Sequence, residues 1–104
     1  MPKRRYEILL PLRHNDGRTV AAELFDQTRR DLVLQFGAVS FFPQSLLGIW
    51  IHEGDRFEDE LVRVVVDVED TAETRQFFFT FKVLLLERFE QIEIYIASHP
   101  IDVI

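Results

Sequence analysis

From Leu61 to Val68 the chain sets valine at 62, 64, 66 and 68, with Arg63, Val65 and Asp67 between them. Side chains alternate across a strand, so this stretch has one face that must be buried and one that is only partly apolar. A strand of that kind belongs in the interior of a sheet covered on one side. The remaining segments therefore have to supply its neighbours and a helical layer on the valine side.

Period-two and period-3.6 patterns divide the rest of the chain accordingly. Tyr6 to Leu12 reads as a strand, followed by the turn His14-Asn15-Asp16-Gly17. A helix is expected from about Val20 to Phe36, with Val20, Leu24, Thr28, Leu32 and Phe36 in one stripe and Gly37 as its stop. Val39 to Phe42 and Leu46 to His52 are extended pieces separated by Pro43, and Glu53-Gly54-Asp55 turns into a strand from about Arg56 or Glu60 to Val68. Asp70-Thr71-Ala72-Glu73 has the form of a capping box opening a second helix to about Arg88. A last strand is expected where Ile92, Ile94 and Ile96 alternate with Glu93, Tyr95 and Ala97, ending before Pro100. The order βαββαβ implies an α+β ferredoxin-like split βαβ sandwich, residues 1–104 forming one domain. Its four-stranded antiparallel sheet carries two helices on one face, with the first and third strands central.

Composition narrows the chemistry. The 104 residues include no Cys, which excludes disulfides, thiolate zinc sites, iron–sulfur clusters and a Cys nucleophile. Twelve Lys and Arg against 18 Asp and Glu give a formal charge of −6, which argues against an extended phosphate-binding surface. The local basic groups Lys3, Arg4, Arg5, Arg29 and Arg30 do not change that balance, so nucleic acid is not an expected partner. The apolar stretch Ile8 to Leu12 is too short for a secretory leader, and Phe77 to Leu86 is about half the roughly 20 residues of a bilayer span. A cytoplasmic protein without membrane contact is expected.

Two surfaces are left over. On the second helix, Phe77, Phe78, Phe81, Leu84 and Leu85 share an arc that faces the sheet, while Phe79, Val83 and Leu86 form a second arc. Contiguous exposed apolar groups mark contacts, so these three are the interface candidates. The sheet face away from the helices should carry Glu7, Leu9, Arg63, Val65, Glu93 and Tyr95. Pairing Leu9 with Val65, Glu7 with Asp67 and Pro11 with Arg63 makes it a mixed floor for a ligand or a second sheet.

Other chemistry finds no pattern. His14, His52 and His99 lack metal-ligand spacing, so no metal site is expected. Ser40, Ser45 and Ser98 lack a Gly-x-Ser-x-Gly setting, and Gly17, Gly37, Gly48 and Gly54 are isolated, which leaves no phosphate loop and no cofactor. Trp50 is read as a core or interface anchor. The third strand has no stacking aromatics of the RNA-recognition kind, no Cys-x-x-Cys of the heavy-metal-binding kind is present, and the first loop lacks the acylphosphatase phosphate motif.

The chain resembles a group of small bacterial proteins of unknown function. The resemblance rests on Gly48-Ile-Trp50, Asp59-Glu-Leu-Val-Arg63, Val66-Asp67-Val68, Asp70-Thr71 with Phe77-Phe78, and Tyr95-Ile-Ala-Ser-His-Pro100. That group has no assigned activity, so the resemblance implies no catalytic residues. The leading expectation is a non-enzymatic interaction or regulatory module that forms a homo-oligomer or meets another protein partner. The alternative is a small dimeric-barrel enzyme, with Tyr95, Arg63 and a carboxylate such as Glu7 or Glu93 lining a cavity on the open sheet face.

Overall fold

The computed structural model describes residues 2–104. Its elements are β1 (Lys3–Pro11), α1 (Ala22–Phe36), β2 (Ser40–His52), β3 (Asp55–Glu69), α2 (Ala72–Arg88) and β4 (Ile96–Ile101). The strands lie in the order β2-β3-β1-β4, every neighbouring pair antiparallel. This is the expected βαββαβ α+β sandwich with β1 and β3 in the middle.

The core follows from the alternation. Tyr6, Ile8 and Leu10 of β1 and Val62, Val64, Val66 and Val68 of β3 are buried against Phe25 and Leu32 of α1 and Phe78, Phe81 and Leu85 of α2. Three aromatic rings tie α1, α2 and β1 together, Phe36 and Tyr6 each stacking on Phe78 with centroids 5.5 and 3.9 Å away. Gly37 ends α1 in the left-handed region at φ 83°, its N–H donating to Val33 O at 2.7 Å. The β2–β3 hairpin closes through Glu53 at φ 51° and Gly54 at φ 83°, the two positive φ angles of a type I′ turn.

Four expectations are corrected. The β1–β3 register is two residues from the one expected: Arg5 faces Asp67, Glu7 faces Val65, Leu9 faces Arg63 and Pro11 faces Leu61. A two-residue slip keeps every side chain on its face, so charge decides. The adopted register sets Arg5 opposite Asp67 where the other would set two carboxylates opposite each other. The last strand begins at Ile96 and runs through Pro100, because the chain needs the segment from Glu90, at φ 52°, through Tyr95 to return from the end of α2. Pro100 is tolerated because β4 is an edge strand. Thr71, one residue after Asp70, is the N-cap of α2 and accepts from Thr74 N, while Asp70 pairs with Arg4. On α2, Leu84 is exposed and Leu86 packs, partly buried, against the core, the reverse of the expected arcs.

The two helices are joined by Arg88. Its guanidinium donates to Thr28 Oγ1 at 2.9 Å and to Asp31 Oδ2 at 2.7 Å, and the fully buried Thr28 hydroxyl donates to Leu24 O at 2.8 Å. Arg88→Met keeps the aliphatic stem and removes both interhelix bonds. Urea denaturation is expected to register a loss of about 1–3 kcal/mol, the range for a hydrogen bond to a charged, largely buried group.

Candidate functional site

The open sheet face is built from every second residue of each strand. Its rows are Asp67, Arg5 and His99; then Ser40, Val65, Glu7 and Ala97; then Phe42, Arg63 and Leu9. The backbone of Tyr95 extends the third row by accepting a hydrogen bond from Leu9 N at 3.0 Å. Val65, in the middle of its row, is only 6% exposed although no helix lies over it. Arg63 lies over the Phe42 ring, its guanidinium carbon 4.4 Å from the centroid, and its Nε is 3.6 Å from Glu7 Oε1. Arg5 and Asp67 make a two-pronged pair at 2.7 and 2.9 Å.

Five of the six expected floor residues, Glu7, Leu9, Arg63, Val65 and Tyr95, thus come together along β1, β3 and the approach to β4. Glu93 reaches only their Leu9 and Tyr95 end, where it helps to line a shallow cleft. Its carboxylate takes a hydrogen bond from Lys82 of α2 at 2.7 Å and from Ile94 N at 2.9 Å. The Lys82 hydrogen bond, against some burial, holds Glu93 below the ordinary carboxylate range, and Arg5 does the same for Asp67. Both stay ionised near neutrality. The expected carboxylate pair of Glu7 and Asp67 is replaced by two carboxylate–guanidinium pairs.

The face continues into a feature that the sequence did not single out. β3 pairs with β1 only from Leu61 onward, so β3 from Asp55 to Glu60 and β2 from Leu47 to His52 extend past the central strands as a two-stranded arm. One side of the arm carries Trp50 stacked on Phe57, centroids 4.6 Å apart, with the Trp50 indole N–H donating to Asp59 Oδ2 at 2.7 Å. Gly48 leaves room there for Leu61, whose Cδ1 lies 2.8 Å from where a Cβ would stand. The other side exposes Leu47, Ile49 and Ile51 at 61, 53 and 64%. The available signal was that Leu46 to Ile51 is apolar on both of its faces while its partner strand is charged there. A shallow cleft of about 90 Å³ lies where the arm meets the sheet, bounded by Leu9, Trp50, Asp59, Glu93 and Tyr95.

On the helix side, Phe79 and Val83 of α2 are exposed beside a shallow groove that also meets Leu84. No group of three or more His, Asp or Glu side chains comes together among the described residues, and none of their helices is long and apolar enough to cross a membrane. The Tyr6 hydroxyl is buried with no hydrogen-bond partner among them. Such a defect ordinarily costs about 1–3 kcal/mol.

No protein-family model and no curated protein matches the chain. Among solved structures it is similar to a divalent cation tolerance protein, CutA1, from Thermus thermophilus, at 18% identity and a TM-score of 0.65 over 97% of this chain and 85% of that one. It is similar as well to CutA1 from Oryza sativa, at 10% identity and a TM-score of 0.66 over 99% and 83% of the two chains. A third similar structure is a phage SAM lyase in complex with S-methyl-5′-thioadenosine, at 14% identity and a TM-score of 0.63 over 97% and 90%. At these identities the likeness is one of fold: the chain has the ferredoxin-like architecture of the CutA1 structures.

Proposed function

We propose that the chain is a self-associating interaction module, without catalytic chemistry of its own, that assembles through the apolar side of the β2 arm, the side that continues the helix-covered face of the sheet. The carrying observation is the arm. A two-stranded ribbon standing alone is marginally stable in water, and this one exposes Leu47, Ile49 and Ile51 along an unpaired edge strand. Full burial of three such side chains gains roughly 1.5–3 kcal/mol each. The occupant is a second copy, because an exposed edge strand can pair with its own equivalent about a two-fold axis, which buries the same apolar row of Leu47, Ile49 and Ile51 from both chains. The outer face of α2, where Phe79 and Val83 are exposed, is the alternative surface for that contact.

An enzymatic reading draws on the fold likeness to the phage lyase and on the cleft beside Trp50 and Tyr95. That cleft, about 90 Å³, falls well short of the roughly 300–1,000 Å³ of ordinary ligand sites. Glu93 beside it and Asp67 on the sheet are both held ionised, which makes them poor proton donors. The interaction reading is therefore preferred.

Sedimentation velocity over a wide concentration range tests it. The wild type is expected to sediment as a dimer or larger, Leu47→Glu/Ile49→Glu as a folded monomer, and Phe79→Glu/Val83→Glu like the wild type. A wild type that stays monomeric throughout rejects self-association, and a monomer produced only by the α2 variant moves the contact to that helix.

The state of Asp67 gives a second test. Its folded pKa lies below the unfolded value of about 3.9, so its contribution to stability is complete above that value and is lost as the pH falls through the folded pKa. Asp67→Asn is expected to be less stable than wild type near neutrality and to converge with it in strong acid, as followed by urea denaturation at stepped pH. A gap that widens in acid would mean that the folded state keeps this carboxyl protonated, as a general acid would.

A further inference from the structure

On the helix side of the sheet, away from the arm and the open face, α2 and β4 stand apart and leave a cleft of about 210 Å³. Its lining includes Tyr6, Arg75, Phe78, Phe79, Lys82 and Ser98. Tyr6 and Ser98 face each other across the β1–β4 pairing, and the Tyr6 ring lies against Phe78 at 9°. Tyr6 is 4% exposed, and its hydroxyl is the buried side-chain polar atom that finds no partner among the described residues. Buried hydroxyls are almost always bonded, so an orphan on a residue that lines an open cleft points to a group that arrives from outside.

The charges around the cleft specify what that group is. Lys82 is engaged by Glu93 at 2.7 Å. Arg75 makes no ion pair among the described residues and only approaches the Phe79 ring, at 5.6 Å. Ser98 Oγ accepts from Arg4 Nη1 at 3.1 Å, which leaves its own proton to donate. The cleft thus offers one uncommitted positive charge, the Ser98 hydroxyl and an apolar wall of Phe78, Phe79 and Ile96, with the unpartnered Tyr6 hydroxyl buried within its lining. A monoanion with an apolar body satisfies all of these. A phosphate dianion would leave the wall unused and half its charge unmatched. The volume lies below the roughly 300–1,000 Å³ of larger ligand sites, so the molecule is small.

We infer that the α2–β4 cleft is a binding site for a small organic carboxylate, with the carboxylate held between Arg75, the Tyr6 hydroxyl and Ser98, and its apolar part against Phe78 and Phe79. The site is complete within one chain and does not depend on self-association through the arm.

Amide chemical-shift titration of the full chain with benzoate tests this, with benzamide as the neutral counterpart and inorganic phosphate as the anion without an apolar body. Benzoate is expected to shift the amides of Ala97, Ser98 and the 75–82 turns of α2 in a saturable way, and benzamide to bind at least about tenfold more weakly, as loss of charge-assisted hydrogen bonds implies. Tyr6→Phe removes only the orphan hydroxyl. It is expected to melt no lower than wild type yet to weaken benzoate by roughly tenfold. Arg75→Gln, at an exposed helix position, is expected to weaken benzoate by a similar factor with the fold intact. The inference is overturned if benzoate produces no shift at about 10 mM, if benzamide or phosphate binds as well as benzoate, or if Tyr6→Phe binds benzoate with wild-type affinity.

Discussion

Everything in the molecule is referred to the antiparallel contact of β1 with β3. Nine consecutive residues of one face nine of the other, from Lys3 opposite Glu69 to Pro11 opposite Leu61. The even-numbered side of this ladder, from Tyr6 to Leu10 and from Val62 to Val68, is the floor on which both helices rest. Because side chains alternate with period two, burying that side commits the odd-numbered residues to the other face. Arg5, Glu7, Leu9, Arg63, Val65 and Asp67 form the open surface as a consequence of the core.

The same alternation explains how far the sequence could be read. It reveals a face without ambiguity, since a one-residue error would expose valines. It is blind to a two-residue error, which preserves faces and changes only neighbours. The choice was made by charge, Arg5 opposite Asp67, and it turned an expected pair of carboxylates into two ion pairs. The strand expected through Ile92, Ile94 and Ile96 starts only at Ile96 for a related reason. Ile94 is buried as its pattern demands, but Phe89 and the left-handed Glu90 use that segment to carry the chain from the end of α2 back to the sheet. Burial in a connection leaves the same trace as burial in a strand.

The features that matter most for contacts were the least legible. The arm exists because β2 and β3 outlast β1, and relative strand length is a property of the assembled sheet. The α2–β4 cleft depends on how far α2 stands from an edge strand of six residues. On α2 the helical wheel predicts Leu84 inside and Leu86 outside, yet Leu84 is exposed and Leu86 packs on the core. A helix apolar over most of its circumference offers the wheel little contrast, and its rotation is settled by packing with α1 through Phe36 and Arg88.

The arm has an electrical character as well as an apolar one. Between Glu53 and Glu60 it gathers Glu53, Asp55, Glu58, Asp59 and Glu60 against the single cation Arg56, four of the chain's six net negative charges in eight residues. On the side that exposes Leu47, Ile49 and Ile51, the facing partners are Glu60, Glu58 and Arg56, of which only Glu58 and Arg56 are paired, at 2.9 Å. Two copies of this hairpin brought together meet repulsion before their apolar rims touch. Counter-ions damp that repulsion over the roughly 8–10 Å screening length of physiological salt, while burial of leucine and isoleucine is little changed. In the proposed contact between two such hairpins, association would therefore tighten as salt rises.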